Sequence, residues 1–218
     1  MPQVTSVEPQ KKRKDRLNIF LDGAYAFSLD TPTVLKNNIK TGKQLSQKEI
    51  QVLLKENETA KLVDLALNYL SFRPRSQKEI QDYLVKKIAQ RENIKFAKAK
   101  ESKLIGKCIE KLTKYKYIDD VEFAKWWTES RSKANPKGAR LIKLELLRKG
   151  IDKDVIDEIL EKNLNQKELA YKAIQKKLKS WQQLPKVEFK NKAYRYLASR
   201  GFEFDEIRQT VAQLEQKS

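Results

Sequence analysis

The stretch GARLIKLELLRKGIDKDVIDEILEKNL, residues 138 to 164, decides the fold. Moved along the chain by 51 positions it lies over FKNKAYRYLASRGFEFDEIRQTVAQLE, residues 189 to 215. Ile142 then meets Ala193, Leu146 meets Leu197, Lys149 meets Arg200, Gly150 meets Gly201, Ile151 meets Phe202, Asp154 meets Asp205 and Ile156 meets Ile207. Each stretch reads as the end of one helix, a glycine where the chain must turn left-handed, and the start of the next helix. A shift of 62 in the other direction lays Pro74, Ile80, Leu84 and Lys87 on Pro136, Ile142, Leu146 and Lys149. The extra residues fall in the polar segment Ala89 to Lys100. Three copies of a three-helix unit of about 50 residues follow, the signature of a repeat architecture in which each unit touches mainly its neighbours.

Cap signals mark the helix starts. Ser46-x-x-Glu49, Ser76-x-x-Glu79, Asp119-x-x-Glu122 and Asn165-x-x-Glu168 each set an N-cap acceptor three residues ahead of a carboxylate. Leu104, Ile105, Cys108, Ile109 and Leu112 share one helical face, as do Phe123 and Trp127, Ile142 and Leu146, and Ile156 and Leu160. Ahead of the repeats, Leu17–Leu21 and Tyr25–Leu29 are β-prone and flank Asp22-Gly23, a hairpin turn that needs positive φ. A lone hairpin is marginal, so a helix from Leu45 to Leu54 is expected to cover it. Residues 1–16, ending near Lys11-Lys12-Arg13-Lys14, read as a flexible basic arm.

The fold class expected is therefore mainly α, with three tandem three-helix repeats in an elongated, curved array behind an N-terminal β-hairpin and helix. Its divisions fall at 1–16 for the arm, 17–56 for the hairpin and helix, and 57–118, 119–164 and 165–218 for the repeats.

Composition narrows the function. Among 218 residues there is no His, which removes His-based triads and His-ligated metals, and one cysteine, Cys108, which allows no intrachain disulfide or thiolate cluster. No apolar run approaches the roughly 18 residues of a membrane span, and the first 16 residues lack the apolar heart of a signal peptide; the expected compartment is the cytoplasm. Gly42-Lys43 lacks the surrounding residues of a phosphate-binding loop. Asp119, Asp120 and Glu122 form the best carboxylate cluster, as do Asp152, Asp154 and Asp157 further on, but both open helices, where capping and the helix dipole account for acidic residues. No catalytic residue, metal or cofactor is expected.

What remains is charge. The 47 Lys and Arg against 29 Asp and Glu leave a net +18, and the segments ending at residues 55, 120, 164 and 218 carry +5, +5, +2 and +6. A field spread over the whole chain suits a polyanion or an extended acidic surface. The densest stretch, 130 to 150, holds Arg131, Lys133, Lys137, Arg140, Lys143, Arg148 and Lys149 against Glu145 alone. Continuous helical register would put Lys133, Lys137 and Arg140 on one face, with Lys143 and Lys149 extending it and Ile142 and Leu146 inward. Lys86, Lys87, Lys190, Lys192, Arg195 and Arg200 repeat the theme. Trp126, Trp127, Trp181, Tyr115 and Tyr117 offer stacking surfaces near these cations, although Trp127, paired with Phe123, reads as core and Trp126 as the more exposed.

Several of these stretches, in this order, resemble the RecX family: Ala66-Leu67-Asn68-Tyr69-Leu70, Arg73-Pro74-Arg75-Ser76 with Glu79-Ile80, Tyr117-Ile118-Asp119-Asp120 with Phe123-Ala124, Gly138 with Arg140, and Glu145-Leu146 with Lys149-Gly150-Ile151. The resemblance spans about residues 60 to 215, and the hairpin resembles the N-terminal extension of longer members. It departs at Ile88, where a stop glycine is expected, and at Ala193 and Tyr196, which stand where repeat two has Ile142 and Glu145. It implies a non-enzymatic regulator that binds the RecA recombinase filament on DNA along its groove and lowers its ATPase, strand-exchange and co-protease activities; the chain is expected to be a monomer. The recombinase- or DNA-binding residues expected are Arg73, Arg75, Arg131, Lys133, Lys137, Arg140, Lys143, Lys149, Arg195 and Arg200, with any DNA contact independent of sequence. The rival reading is a stand-alone DNA-binding protein, either sequence-independent or a helix-turn-helix regulator.

Overall fold

The computed structural model describes residues 1–11, 14–133, 135–181 and 183–215. The chain separates into two compact units, one formed by residues 1–73 and 80–117 and the other by 74–79 and 118–218.

The first unit begins with a three-stranded antiparallel sheet, β1 (Val4–Pro9), β2 (Arg16–Leu21) and β3 (Ala24–Asp30), in that order. Residues 1–16 are thus not a free arm. β1 pairs with β2, Val4 is wholly buried, and Arg16 is buried among Ser28, Asn57 and Asp64. The expectation failed because Val4-Thr5-Ser6-Val7 is too short and polar to stand out, and its order comes from an edge that β2 supplies. Lys12 and Arg13, the centre of the basic run, lie outside the described residues. Asp22 and Gly23 both take positive φ, 49° and 83°, as the two-residue turn between β2 and β3 requires.

Val4, Ile19, Phe27 and Leu29 from the sheet bury against Val34 of α1 (Thr31–Lys36), Ile39, Leu45 and Leu53 of α2 (Gln47–Leu70). Ser46 and Glu49 close a full capping box at the start of α2. The helix then runs unbroken for 24 residues, through the boundary expected at 56/57. No Gly, Pro or new cap interrupts it, so its first half covers the sheet while its second half is the opening helix of the first repeat. That repeat continues with α3 (Gln77–Glu92), α4 (Phe96–Lys100) and α5 (Lys103–Lys114). At Ile88 α3 does not stop. Ile88 is core, and the left-handed residue is Asn93, φ 51°.

The second unit holds two further three-helix repeats. α6 (Asp120–Lys133), α7 (Ala139–Arg148) and α8 (Lys153–Asn163) enclose Phe123, Trp127, Ile142, Leu146, Ile151, Ile156 and Leu160. α9 (Gln166–Trp181), α10 (Lys186–Ser199) and α11 (Phe204–Glu215) enclose Leu169, Ile174, Ala193, Leu197, Phe202, Ile207 and Val211. Positions 51 apart in sequence occupy matching places in the two cores. Both middle helices end alike: Gly150 and Gly201 have φ of 80° and 85°, and the amides of Ile151 and Phe202 donate to the carbonyls of Leu146 and Leu197.

The same unit shows why the segment before each middle helix repeats as well. Ser76, fully buried at the start of α3, caps its own helix by accepting from the Glu79 amide at 3.2 Å, and its hydroxyl donates to the Lys149 carbonyl at 2.8 Å, at the end of α7. Gly138, 62 positions later, opens α7, and its amide donates to the Arg200 carbonyl at 2.9 Å, at the end of α10. One middle helix thus begins where another ends. A Cβ on Gly138 would come within 2.2 Å of the Gly201 carbonyl oxygen, so only glycine permits this approach.

Candidate partner-binding surface

In the second repeat the basic stretch is organised by one carboxylate. Glu145, on α7, accepts from Trp127 Nε1 at 2.9 Å and Arg131 Nε at 2.7 Å, both on α6, and from Lys137 Nζ in the connection between them. Burial pushes the Glu145 carboxyl up, but the bonds from Lys137, Arg131 and Trp127 outweigh it and hold the group below the usual carboxylate range. Arg131 also lies 4.2 Å from the centre of the Trp127 ring, and Lys149 lies 5.1 Å from the same ring while pairing with Glu79.

This arrangement recurs. Lys87, Lys149 and Arg200 are equivalent under the shifts of 62 and 51, and each stands over an aromatic ring: Lys87 over Tyr83 at 5.5 Å, Lys149 over Trp127, and Arg200 over Tyr196 at 5.2 Å. Tyr83 is stacked on Tyr69 with ring centres 4.1 Å apart. Tyr196 replaces Glu145 in the third repeat; its hydroxyl donates to the Ala173 carbonyl and its ring meets Trp181 edge-on. A hydrogen-bonded aromatic therefore fills the place of the ion-pair hub, and the departure from the second repeat's pattern keeps the cation in position.

The ten basic residues expected to bind a partner divide sharply. Arg131 and Lys137 are held by Glu145, Lys143 by Asp157 on α8, and Lys149 by Glu79. Arg200 is half-buried over Tyr196, while Arg73 and Arg75 are half-buried on either side of Pro74. Lys133 is exposed beside Glu129 in a surface pair worth little. Arg140 is exposed and reaches only the Ala198 carbonyl at 3.4 Å. Arg195 is exposed, with no ion pair among the described residues, and so is Arg148. The shared face expected for Lys133, Lys137 and Arg140 does not form. α6 ends at Lys133 and α7 begins at Ala139, because Pro136 bars helix at the residue before it and Gly138 is drawn against Gly201. Ile142 and Leu146 do point inward, both fully buried.

The acidic cluster is structural. Asp119 accepts from the amides of Val121 and Glu122 at 2.9 and 3.0 Å, and Asp120 accepts from the Gln77 amide at 2.8 Å. Burial raises the Asp120 carboxyl. Asp152 caps α8 through the Asp154 amide. Among the described residues no group of three or more Cys, Asp or Glu side chains is placed to hold a metal ion. Cys108 is fully buried on the inward face of α5, and that burial pushes its thiol up to about 11, far from a nucleophile's range. No helix among the described residues is long and apolar enough to cross a membrane.

Three-helix units in tandem, each carrying a cation over an aromatic ring, define a helical repeat protein. Comparison with known proteins gives the family. Its models match in chain order: the regulatory protein RecX N-terminal domain over residues 2–46, and the first, second and third RecX three-helix domains over 64–92, 119–160 and 165–211. The Bacillus subtilis regulatory protein RecX is 37% identical over 217 residues, 99% of this chain and 78% of that protein. That of Listeria welshimeri is 35% identical over 92% of this chain and 71% of that protein. A crystal structure of regulatory protein RecX superposes with a TM-score of 0.74 at 26% identity, over 96% of this chain and 98% of that one. RecX from Lactobacillus salivarius gives 0.60 over 72% and 97%. The chain belongs to the RecX family.

Proposed function

We propose that this chain is a non-enzymatic, monomeric, cytoplasmic regulator that binds the RecA recombinase filament on DNA along its groove and lowers its ATPase, strand-exchange and co-protease activities. The observation that carries the reading is the match of all four RecX domains, in order, along nearly the whole chain. Regulation of RecA is what membership implies. The finer reading is supported by three tandem repeats, each with a cation set over an aromatic, and by a net charge of +18, which suits an extended partner of repeating shape and negative potential. Arg140, Arg148 and Arg195 supply the outward charge, while Arg131, Lys137, Lys143 and Lys149 shape the surface that carries it.

The test is the DNA-dependent ATPase of the cognate recombinase with and without this chain. Suppression at one molecule per few protomers supports occupancy of the groove. Suppression at one per many protomers would place the action at filament ends instead, and no suppression at any ratio contradicts the reading.

A further inference from the structure

The first unit contains a groove of about 1030 Å³ that none of the expected binding residues lines. Its floor is a stripe along α2, Val52, Thr59, Val63 and Leu67, closed by Leu112 of α5 and Pro32 of α1. From Val52 to Leu67 the stripe runs roughly 22 Å at 1.5 Å per residue. Along one wall Lys107, Lys111 and Lys114 follow one another at helical spacing on the exposed side of α5, and Lys55 rises from α2. None of these four lysines has an ion pair among the described residues. Tyr115 and Tyr117 close the end of the groove at 60% and 55% exposure, high for rings beside an apolar floor. The two carboxylates in the lining are occupied: Asp30 caps α1 through the Thr33 amide, and Glu56 binds Lys36 and Asn37.

We propose that this groove is a docking site for an acidic amphipathic helix of a partner protein. The floor is aliphatic at a spacing that receives side chains from one face of a helix. The rim is lysine, available for carboxylates on the helix's flanks, and the two tyrosines are of the type that anchors protein interfaces. Single-stranded nucleic acid would find stacking at Tyr115 and Tyr117, but the polar edges of its bases would face Val52, Val63 and Leu67 without hydrogen-bond partners. A helix with leucine-like residues on its inner face loses nothing there.

The test uses the full chain and no recombinase, so its outcome is independent of the function proposed above. Fluorescence anisotropy is recorded with a labelled peptide of about 18 residues carrying leucines at i, i+3, i+4, i+7 and i+11 and glutamates across the opposite face. A scrambled peptide of the same composition and a labelled oligodeoxythymidine of about 20 nucleotides serve as comparisons. The amphipathic peptide is expected to bind, and to lose at least about tenfold in affinity in Lys111→Glu/Lys114→Glu and again in Val52→Glu. Val52 is already half exposed, so that second variant keeps its fold, which circular dichroism verifies. Absence of binding overturns the proposal, as does equal binding of the scrambled peptide. Binding of oligodeoxythymidine through Lys111, Lys114, Tyr115 and Tyr117 in place of the peptide assigns the groove to nucleic acid and overturns it too.

Discussion

Glu145 takes hydrogen bonds from Trp127, Arg131 and Lys137 at once, so its charge decides whether the densest basic stretch holds its shape. Its folded-state carboxyl lies below the ordinary value of 4.5, so its contribution to stability is complete above that value and drains away as pH falls through the lower folded one. Glu145→Gln should cost about 1–3 kcal/mol at neutral pH, with the gap to the parent closing as urea unfolding is repeated toward pH 3. A gap that is constant or widens on acidification would contradict this. Gly138 is limited by space rather than by φ. Gly138→Ala should cost about 1–3 kcal/mol, because the backbone of Gly201 and Phe202, not a flexible side chain, stands where the methyl must go. Unfolding within about 0.5 kcal/mol of the parent would show that the junction yields.

At the scale of elements, the junction at Ser76 separates capping from helix docking. Ser46 caps α2 at an exposed site with its own Glu49, whereas Ser76 caps α3 and also binds the last carbonyl beyond α7. Ser46→Ala should therefore cost about 1 kcal/mol, and Ser76→Ala more, since the Lys149 carbonyl loses its donor in a buried setting. Equal costs in chemical denaturation would mean the junction bond contributes nothing. The repeats, the N-caps and the glycine stops were legible in the sequence because each depends on local spacing: Ser46 and Ser76 close full capping boxes, Asp119 and Asn165 cap by accepting from the amides of Glu122 and Glu168, and Gly150 and Gly201 take the left-handed turns their positions require. β1 was not, since a polar strand owes its order to the edge it joins. The 56/57 boundary was misplaced because one helix serves two layers, and only a tertiary contact such as Asn57 to Arg16 reveals the change of role.

Over the whole molecule, net charge overstated the cations available to a partner. The carboxylates that neutralise Lys149 and Lys143, Glu79 and Asp157, lie 70 and 14 residues away on other helices, beyond the reach of neighbouring turns of one helix; the register of 62 and 51 aligns Lys87, Lys149 and Arg200 and also Tyr83 with Tyr196, but the ring beneath Lys149, Trp127, comes from a different helix. Charge reversal of Arg140, Arg148 and Arg195 should leave stability nearly unchanged, within about 0.5 kcal/mol each, and weaken filament inhibition. Reversal of Lys137 and Lys143 instead sets carboxylates against Glu145 and Asp157 and should lower stability. If the exposed triple variant inhibits like the parent while folded, another surface carries the binding. The proposed target is the recombinase filament rather than naked DNA. It is tested most directly by titrating DNA binding and inhibition of the recombinase ATPase over one salt series. Phosphate contacts on single strands weaken with a log–log slope of roughly −0.7 per neutralised charge, so DNA binding should vanish first and inhibition persist beyond it. Loss of both at the same salt concentration would contradict the account and make DNA binding the function.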